Sequence, residues 1–488
     1  MKPNLFLFAF LFALVFNPLS PQLRSDKPGL KPFQQDISSP FSAFLPVVTT
    51  TKSSQAPVPD PVPAPVPPSG PASVLGVEAT LSFGLDDMPE PDTGWVRLNG
   101  VLWSNVEPRR GERNWAALAA YEPEWKYIAE QGKNLVLVVR STPPWAQKFP
   151  GYYCGQIKPE ELKAFAQFMH DLVARYSAPP YSIKYWQIWN EPDVAPALVA
   201  PDSVYGCWGD SGDANYGGGY FAEMLKAVYP AIKAADPQAQ VILGGLLLDC
   251  NPRVSGGCRD PKERPPRFLI GILENGGGPY FDGVGFHAYD SYEGMGRYAR
   301  ASWRSSWDTT GPSLIAKARY LQQILDENGV TGKYLIATEA AMTKNSGPCD
   351  GDCQLTKAYY VPQLYAATLA EGIRATIWYS LTGDWRNVML FDAAGKPLPA
   401  YTAYSVAWDQ FAGATFSAEL DLGSGLRGYE LNRGGDKLWV VWAVDIVSHT
   451  IQVPGELVSV TDVFGKPELA AGDNVTVRME PLYIHWRP

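Results

Sequence analysis

An eight-stranded β/α barrel followed by a small all-β unit is the fold this sequence predicts. Three observations lead there. Eight apolar, β-rich runs recur between residues 73 and 381, amphipathic segments separate most of them, and helical periodicity stops past about Ala412. The runs carry Val, Ile and Leu with little polar alternation, as strands of a parallel sheet buried on both faces do. Eight of them over ~320 residues match a barrel with insertions. A doubly wound open sheet is the alternative, but no Gly-rich phosphate loop follows the first run.

The chain opens with Lys2 and an apolar stretch from Leu5 to Phe16 that stops at Asn17-Pro18. It is shorter than the about 20 residues a membrane span needs, and it has the layout of a secretory signal. Residues 1–19 are therefore expected to export the chain. No clean small-x-small cleavage site follows, so an uncleaved anchor stays open as an N-terminal membrane tether. Residues 20–73 include SSQAPVPDPVPAPVPPSGPAS, whose alternating prolines fix φ and remove donors. They read as a disordered linker, with the folded body starting near Val74.

The barrel is expected over 74–410. Its strands are SVLGVEATLSF (73–83), WVRLNGVLW (95–103), LVLVVR (135–140), IKYWQIWN (183–190), VILGGLLL (241–248), FDGVGFHAY (281–289), YLIATEA (334–340) and IRATIWYSL (373–381). Segments such as EELKAFAQFMHDLVARY (160–176) and LIAKARYLQQILDENG (314–329) place apolar residues every three to four positions and supply helices. The connection between the first two strands is too short for a full helix. Over 411–488, runs such as KLWVVWAVD and VTVRMEPLYIHW alternate with Gly/Asn/Asp turns. They predict a β-sandwich, structural or sugar-binding.

A length of 488 residues favours more than one unit, and a net charge of −9 without a basic run argues against a nucleic-acid partner. Six cysteines fit an exported chain, and Cys250, Cys258, Cys349 and Cys353 fall in Gly/Pro/Asp-rich loops. The six together allow 15 pairings. The most local solution joins Cys250 to Cys258 and Cys349 to Cys353, leaving Cys154 with Cys207. Their spacing does not suit zinc, and none has a His beside it. Asn474-Val475-Thr476 is a glycosylation acceptor wherever the host glycosylates.

Active sites of such barrels sit at the carboxyl ends of the strands. Strand four ends in Trp189-Asn190-Glu191-Pro192, strand seven in Thr338-Glu339, and strand six in His287-Ala288-Tyr289. Strands four and seven lie across the barrel from each other, so Glu191 and Glu339 face each other over its mouth. Opposed carboxylates suit acetal hydrolysis, one as proton donor to the leaving oxygen and one as nucleophile. Their surroundings must then differ, keeping Glu191 protonated and Glu339 ionised. Arg97 and Tyr289 are candidates to hold Glu339 charged. His287 and Tyr289, two apart, point to one face of their strand. Trp145 and other loop aromatics, including Tyr152, Tyr153, Tyr205, Trp208, Tyr216, Trp303, Trp307 and Trp385, lie beyond strand ends. They either stack on sugar faces or pack the loops. Glu107, before Pro108-Arg109-Arg110, reads as half of a loop ion pair.

Asn190-Glu191-Pro192 after an aromatic-rich strand, with Glu339 on strand seven, resembles the clan A glycoside hydrolases. Trp103-x-x-Val106-Glu107-Pro108-x-x-Gly111 with Asn114-Trp115 is similar to the start of family 39, 42 and 5 enzymes. Tyr220 with Ile232-Lys233-Ala234-Ala235-Asp236-Pro237 resembles the family 39 type most. The likeness spans about residues 75–410. It implies Glu191 as acid/base, Glu339 as nucleophile, Asn190 on the sugar 2-hydroxyl and Tyr289 on the nucleophile. It also implies His287 in the site wall, Trp378 as the platform under the reacting sugar, and Arg97 beside the nucleophile. Arg140 stands where family 5 enzymes often have a histidine. Ala340-Ala341 replace the aromatic or Gly that commonly follows the nucleophile.

The expectation is a monomeric extracellular retaining glycosidase. It would act on β-linked oligosaccharides or polysaccharides, without metal or organic cofactor. Endo and exo action both stay open, as does transglycosylation. The rivals are a non-catalytic carbohydrate-binding or scaffold protein and a metal-dependent hydrolase on the same barrel.

Overall fold

Trp95, Val136, Tyr185, Ile242, Ile336 and Ile377 come from six different strands and pack into one cluster. The computed structural model describes residues 73–79, 91–200, 202–254, 258, 266–293, 307 and 311–488. The N-terminal apolar segment, nearly all of the Pro-rich linker, residues 80–90 between the first two strands, and Trp303 lie outside them.

The eight expected runs close into a parallel barrel in sequence order. They are β1 (Leu75–Glu78), β2 (Trp95–Leu102), β3 (Asn134–Arg140), β4 (Tyr185–Ile188), β5 (Gln240–Leu246), β6 (Gly283–Ser291), β7 (Tyr334–Thr343) and β8 (Thr376–Trp378). Parallel pairing of β1 with both β2 and β8 completes the ring, which leaves no exposed edge.

Alternation along each strand decides what reaches the axis. Two residues beyond Trp95 stands Arg97; two beyond Tyr185 stands Gln187; two and four beyond Val136 stand Val138 and Arg140. The apolar floor thus gives way to a polar layer toward the carboxyl ends of the strands. That layer positions the site.

Helices cover the outside. They are α1 (Trp103–Val106), α2 (Glu122–Glu130), α3 (Leu162–Tyr176), α4 (Gly218–Ala235), α5 (Arg267–Glu274), α6 (Ser313–Glu327), α7 (Gly351–Ala370) and α8 (Pro399–Phe411). In α3, Phe165, Phe168, Met169, Leu172, Val173 and Tyr176 form a buried stripe at helical spacing, the pattern that turns one face onto a sheet. Helix α6 ends at Asn328, and Gly329 takes the left-handed conformation (φ +66°) that a side chain would resist.

After α8 come eight antiparallel strands in two sheets: β9 (Thr415–Glu419), β10 (Leu426–Arg433), β11 (Asp436–Ala443), β12 (His449–Gln452), β13 (Glu456–Thr461), β14 (Ala470–Ala471), β15 (Asn474–Val477) and β16 (Leu482–Arg487). The larger sheet runs in the order β13-β16-β11-β10-β9 and the smaller β12-β15-β14. Trp439, Val441, Ile484 and Trp486 meet Ile451, Val475 and Val477 between the sheets, forming the sandwich core. The alternate residues Leu438, Val440, Trp442 and Tyr483 turn the other way and join the core of the barrel. Tyr483 packs edge-on against Phe411 of α8, with ring centroids 6.0 Å apart.

Three disulfides, Cys154–Cys207, Cys250–Cys258 and Cys349–Cys353, follow the most local pairing. The first joins the loop after β3 to the loop after β4. Among the described residues no helix is long and apolar enough to cross a membrane.

Candidate active site

Arg97 is the hub of the barrel's polar layer. It is fully buried, and a buried guanidinium needs acceptors for its fixed fork of donors. It has four. Nε donates to Gln187 Oε1 (3.1 Å) and Nη2 to Asn190 Oδ1 (2.5 Å). Nη1 donates to Glu339 Oε1 (2.7 Å) and to Glu78 Oε2. Burial works against its charge, but Glu78 and Glu339 outweigh burial and hold it firmly protonated.

Glu339 reaches the axis through an irregularity. The β6–β7 register slips between Phe286 and His287, which places Glu339 beside His287. Strand β7 itself runs on to Thr343, past the end expected at Ala340. Tyr289 donates its hydroxyl to Glu339 Oε2, and His287 Nδ1 lies 3.3 Å from the same oxygen. Burial alone would raise this carboxyl. The charges of His287 and Arg97, with the hydrogen bonds from Tyr289 and Arg97, bring it below the usual carboxylate range instead.

Glu191 follows β4 and takes a left-handed backbone (φ +48°), with its amide donating to the Gly245 carbonyl (3.0 Å). Its carboxylate has one described partner, His287 Nδ1 at 2.9 Å from Oε1. One carboxylate oxygen of each glutamate and a ring nitrogen of His287 all lie within 4.8 Å of one another. Asn190 gives its carbonyl oxygen to Arg97, so its amide N–H groups remain to donate to a ligand.

Burial raises the Glu78 carboxyl, although Arg97 opposes that. The sequence reading did not single this residue out. Its signal was present: one carboxylate in the apolar run SVLGVEATLSF. Gln187 was missed in the same way, as a polar residue of matching parity in strand four.

Trp378 requires a correction. Ile377 faces the barrel axis, so Trp378 turns outward. Its ring is fully buried beside Tyr360, and its indole N–H is donated to the Val388 carbonyl (3.0 Å). No face remains for a sugar. The next residue, Tyr379, has the inward parity and is partly open. Its ring packs edge-on to Tyr289 (6.2 Å) and Trp385 (5.5 Å), and Trp385 lies 5.1 Å from Tyr289. These three make an aromatic wall beside Glu339.

Among the described contacts none joins Trp145 to either glutamate. It donates its indole N–H to the Glu107 carbonyl (3.0 Å) and packs on Trp103 (5.2 Å), tying two loops together. Glu107 is buried and pairs with Arg113, three residues beyond the arginines expected nearby. Trp208, Tyr216 and Trp307 are buried loop packing, whereas Tyr153 and Trp385 are exposed.

No family model and no curated protein matches this chain. Solved structures do. A family 39 glycoside hydrolase from Bacteroides cellulosilyticus WH2 aligns at TM-score 0.61 and 18% identity, over 86% of this chain and 81% of that one. A GH86 protein, BuGH86, in complex with neoagarooctaose aligns at 0.59 and 12%, over 85% and 74%. A GH30 endoxylanase from Clostridium papyrosolvens C71 aligns at 0.54 and 9%, over 86% and 97%. This chain shares with these glycoside hydrolases the fold of a closed parallel β/α barrel carrying an added β unit.

Proposed function

We propose that this chain is an exported retaining glycoside hydrolase acting on β-linked oligosaccharides or polysaccharides. The observation that carries the reading is the pair of opposed carboxylates, Glu191 and Glu339, with oxygens within 4.8 Å across the barrel mouth. Retaining enzymes hold their carboxyl groups about 5–5.5 Å apart, whereas a direct attack by water needs about 6.5–9.5 Å. The unequal surroundings of the two groups support distinct roles. Glu339 receives donors on both oxygens and stays ionised; Glu191 has a single described contact, with His287.

In this reading Glu339 attacks the anomeric carbon while Glu191 gives its proton to the departing glycosidic oxygen. A glycosyl ester on Glu339 results. Glu191, now ionised, takes a proton from water as that water attacks the same carbon, and Glu339 leaves as a carboxylate. Asn190 is suited to the 2-hydroxyl, and Tyr289, Tyr379 and Trp385 to the apolar sugar face. The apolar leader and the three disulfides support export.

The test compares wild type with Glu339→Ala and Glu191→Ala on aryl β-glycosides and polysaccharides. Cleavage by wild type, loss in Glu339→Ala, and its rescue by azide as a glycosyl azide of inverted configuration are expected. Equal cleavage by wild type and Glu339→Ala would refute the assignment.

One observation favours a second reading. Glu191, His287 and Glu339 are close enough to share a cation, as a metal-dependent hydrolase would require. Against it, both Glu339 oxygens already accept hydrogen bonds, one from the positive Arg97. Chelator treatment should leave activity unchanged, and loss restored by a divalent ion would reverse the choice.

A further inference from the structure

Among the described residues Arg140 is a cation without a counterpart. It ends β3 at the fourth residue beyond Val136, on the parity that faces the barrel axis. Its Nε is buried with no hydrogen-bond acceptor, and among the described residues no carboxylate lies within ion-pair distance of its guanidinium. The contrast with Arg97 is sharp, since that side chain satisfies its fork on four neighbours. Arg140 feels Glu78, Glu339 and Tyr379 at longer range, so from its place on β3 its charge reaches the nucleophile across the mouth. Burial, followed by repulsion from Arg97, brings its pKa down to about 10, and it remains charged at neutral pH.

A half-buried guanidinium is costly unless something accepts its hydrogen bonds. The carboxylates nearest to it cannot serve, because Arg97 already holds Glu78 and Glu339. The planar fork of arginine matches a carboxylate or sulfate in two parallel bonds; a sugar hydroxyl would leave the charge unbalanced. Resting on the glycosidase reading, we propose that the substrate is an acidic glycan, and that Arg140 binds the carboxylate or sulfate on the sugar seated over Glu339.

The test uses the full chain on matched pairs: aryl β-glucuronide with β-glucoside, β-galacturonide with β-galactoside, and 6-sulfated with plain β-galactoside. The anionic member of at least one pair should be preferred, and the pairs themselves separate carboxylate from sulfate. Arg140→Gln should cut kcat/KM on that member roughly 10- to 100-fold, mainly through KM. The neutral member should lose distinctly less than the anionic one, since it makes no charge-assisted bond with Arg140. Arg140→Lys should recover part of the loss. Neutral preference in every pair, or equal losses on both members, would overturn the proposal, the latter showing that Arg140 acts through Glu339.

Calorimetric binding of uronic-acid and sulfated oligosaccharides decides the case if no pair is cleaved. Binding that needs Arg140 supports the proposal, and its absence refutes it. Azide rescue of Glu339→Ala on neutral glycosides alone would keep the glycosidase reading while removing this one.

Discussion

Gly245 lies so close to His287 that a β-carbon on it would stand 2.2 Å from Nε2. The bare backbone on β5 is what lets the imidazole sit between Glu191 and Glu339. Gly245→Ala should push the ring aside and lower kcat/KM about 100-fold, the cost of misplacing a site group by roughly 1 Å. Steady-state kinetics beside circular dichroism check this. A well-folded variant with full activity would show that His287 is not needed where it stands.

Tyr289 helps hold Glu339 below the usual carboxylate range. As the proposed nucleophile Glu339 works ionised, so activity is expected to fall as pH drops through its pKa. Removing the hydroxyl in Tyr289→Phe takes away a donor to the charged form, which raises that pKa. The acid limb of the kcat/KM profile should therefore move to higher pH, by up to about one unit. A limb that stays put or moves down would contradict the electrostatic role of Tyr289.

Arg97 bridges two carboxylates with one positive charge, Glu339 buried and Glu78 largely so. Arg97→Ala takes the shared cation from Glu78 and Glu339, leaving Glu78 with Asn99 and Glu339 with Tyr289 and His287, and breaking a buried pair costs about 3–5 kcal/mol. Denaturant unfolding should show that loss, with hydrolysis abolished. A variant as stable as wild type would mean that the two carboxylates relieve each other by sharing a proton.

Asp193 is buried and accepts the backbone N–H groups of Leu247 and Leu248, both at 2.9 Å. Asp193→Ala orphans both donors, at about 1–3 kcal/mol each. Burial also pushes the Asp193 carboxyl up to about 7. The unfolded chain ionises this group near 4 while the folded one keeps its proton toward 7, so folding binds the extra proton in that window. Stability from Asp193 is fully present below the window and is lost as pH rises through it. The advantage of wild type over Asp193→Asn should shrink from pH 4 to pH 8. An advantage that grows instead would show that Asp193 folds as a carboxylate.

Much of this was legible in the chain. Val/Ile-rich runs separated by amphipathic segments announced strands and helices because burial on one or both faces writes a period into the sequence. The same logic placed Glu191 and Glu339 at the barrel mouth, the carboxyl side where such folds carry their sites. The shared face of His287 and Tyr289 followed from a spacing of two. Trp378 was misread because periodicity says that a strand alternates without saying which parity faces the axis. That phase is set by neighbours such as Ile377 in the common inner layer.

By itself the sequence determined the eight strands, the order in which they come, and the two glutamates that face each other from opposite sides of the ring. Only the tertiary structure decided who touches whom inside it. Arg97 meets Glu339 across 242 residues of chain and Glu78 across 19, through a register slip on one strand and a shared axis on the others. Local sequence carries periodicity and chemistry. Charge pairing at a barrel's centre depends on closure, and closure is a property of all eight strands together.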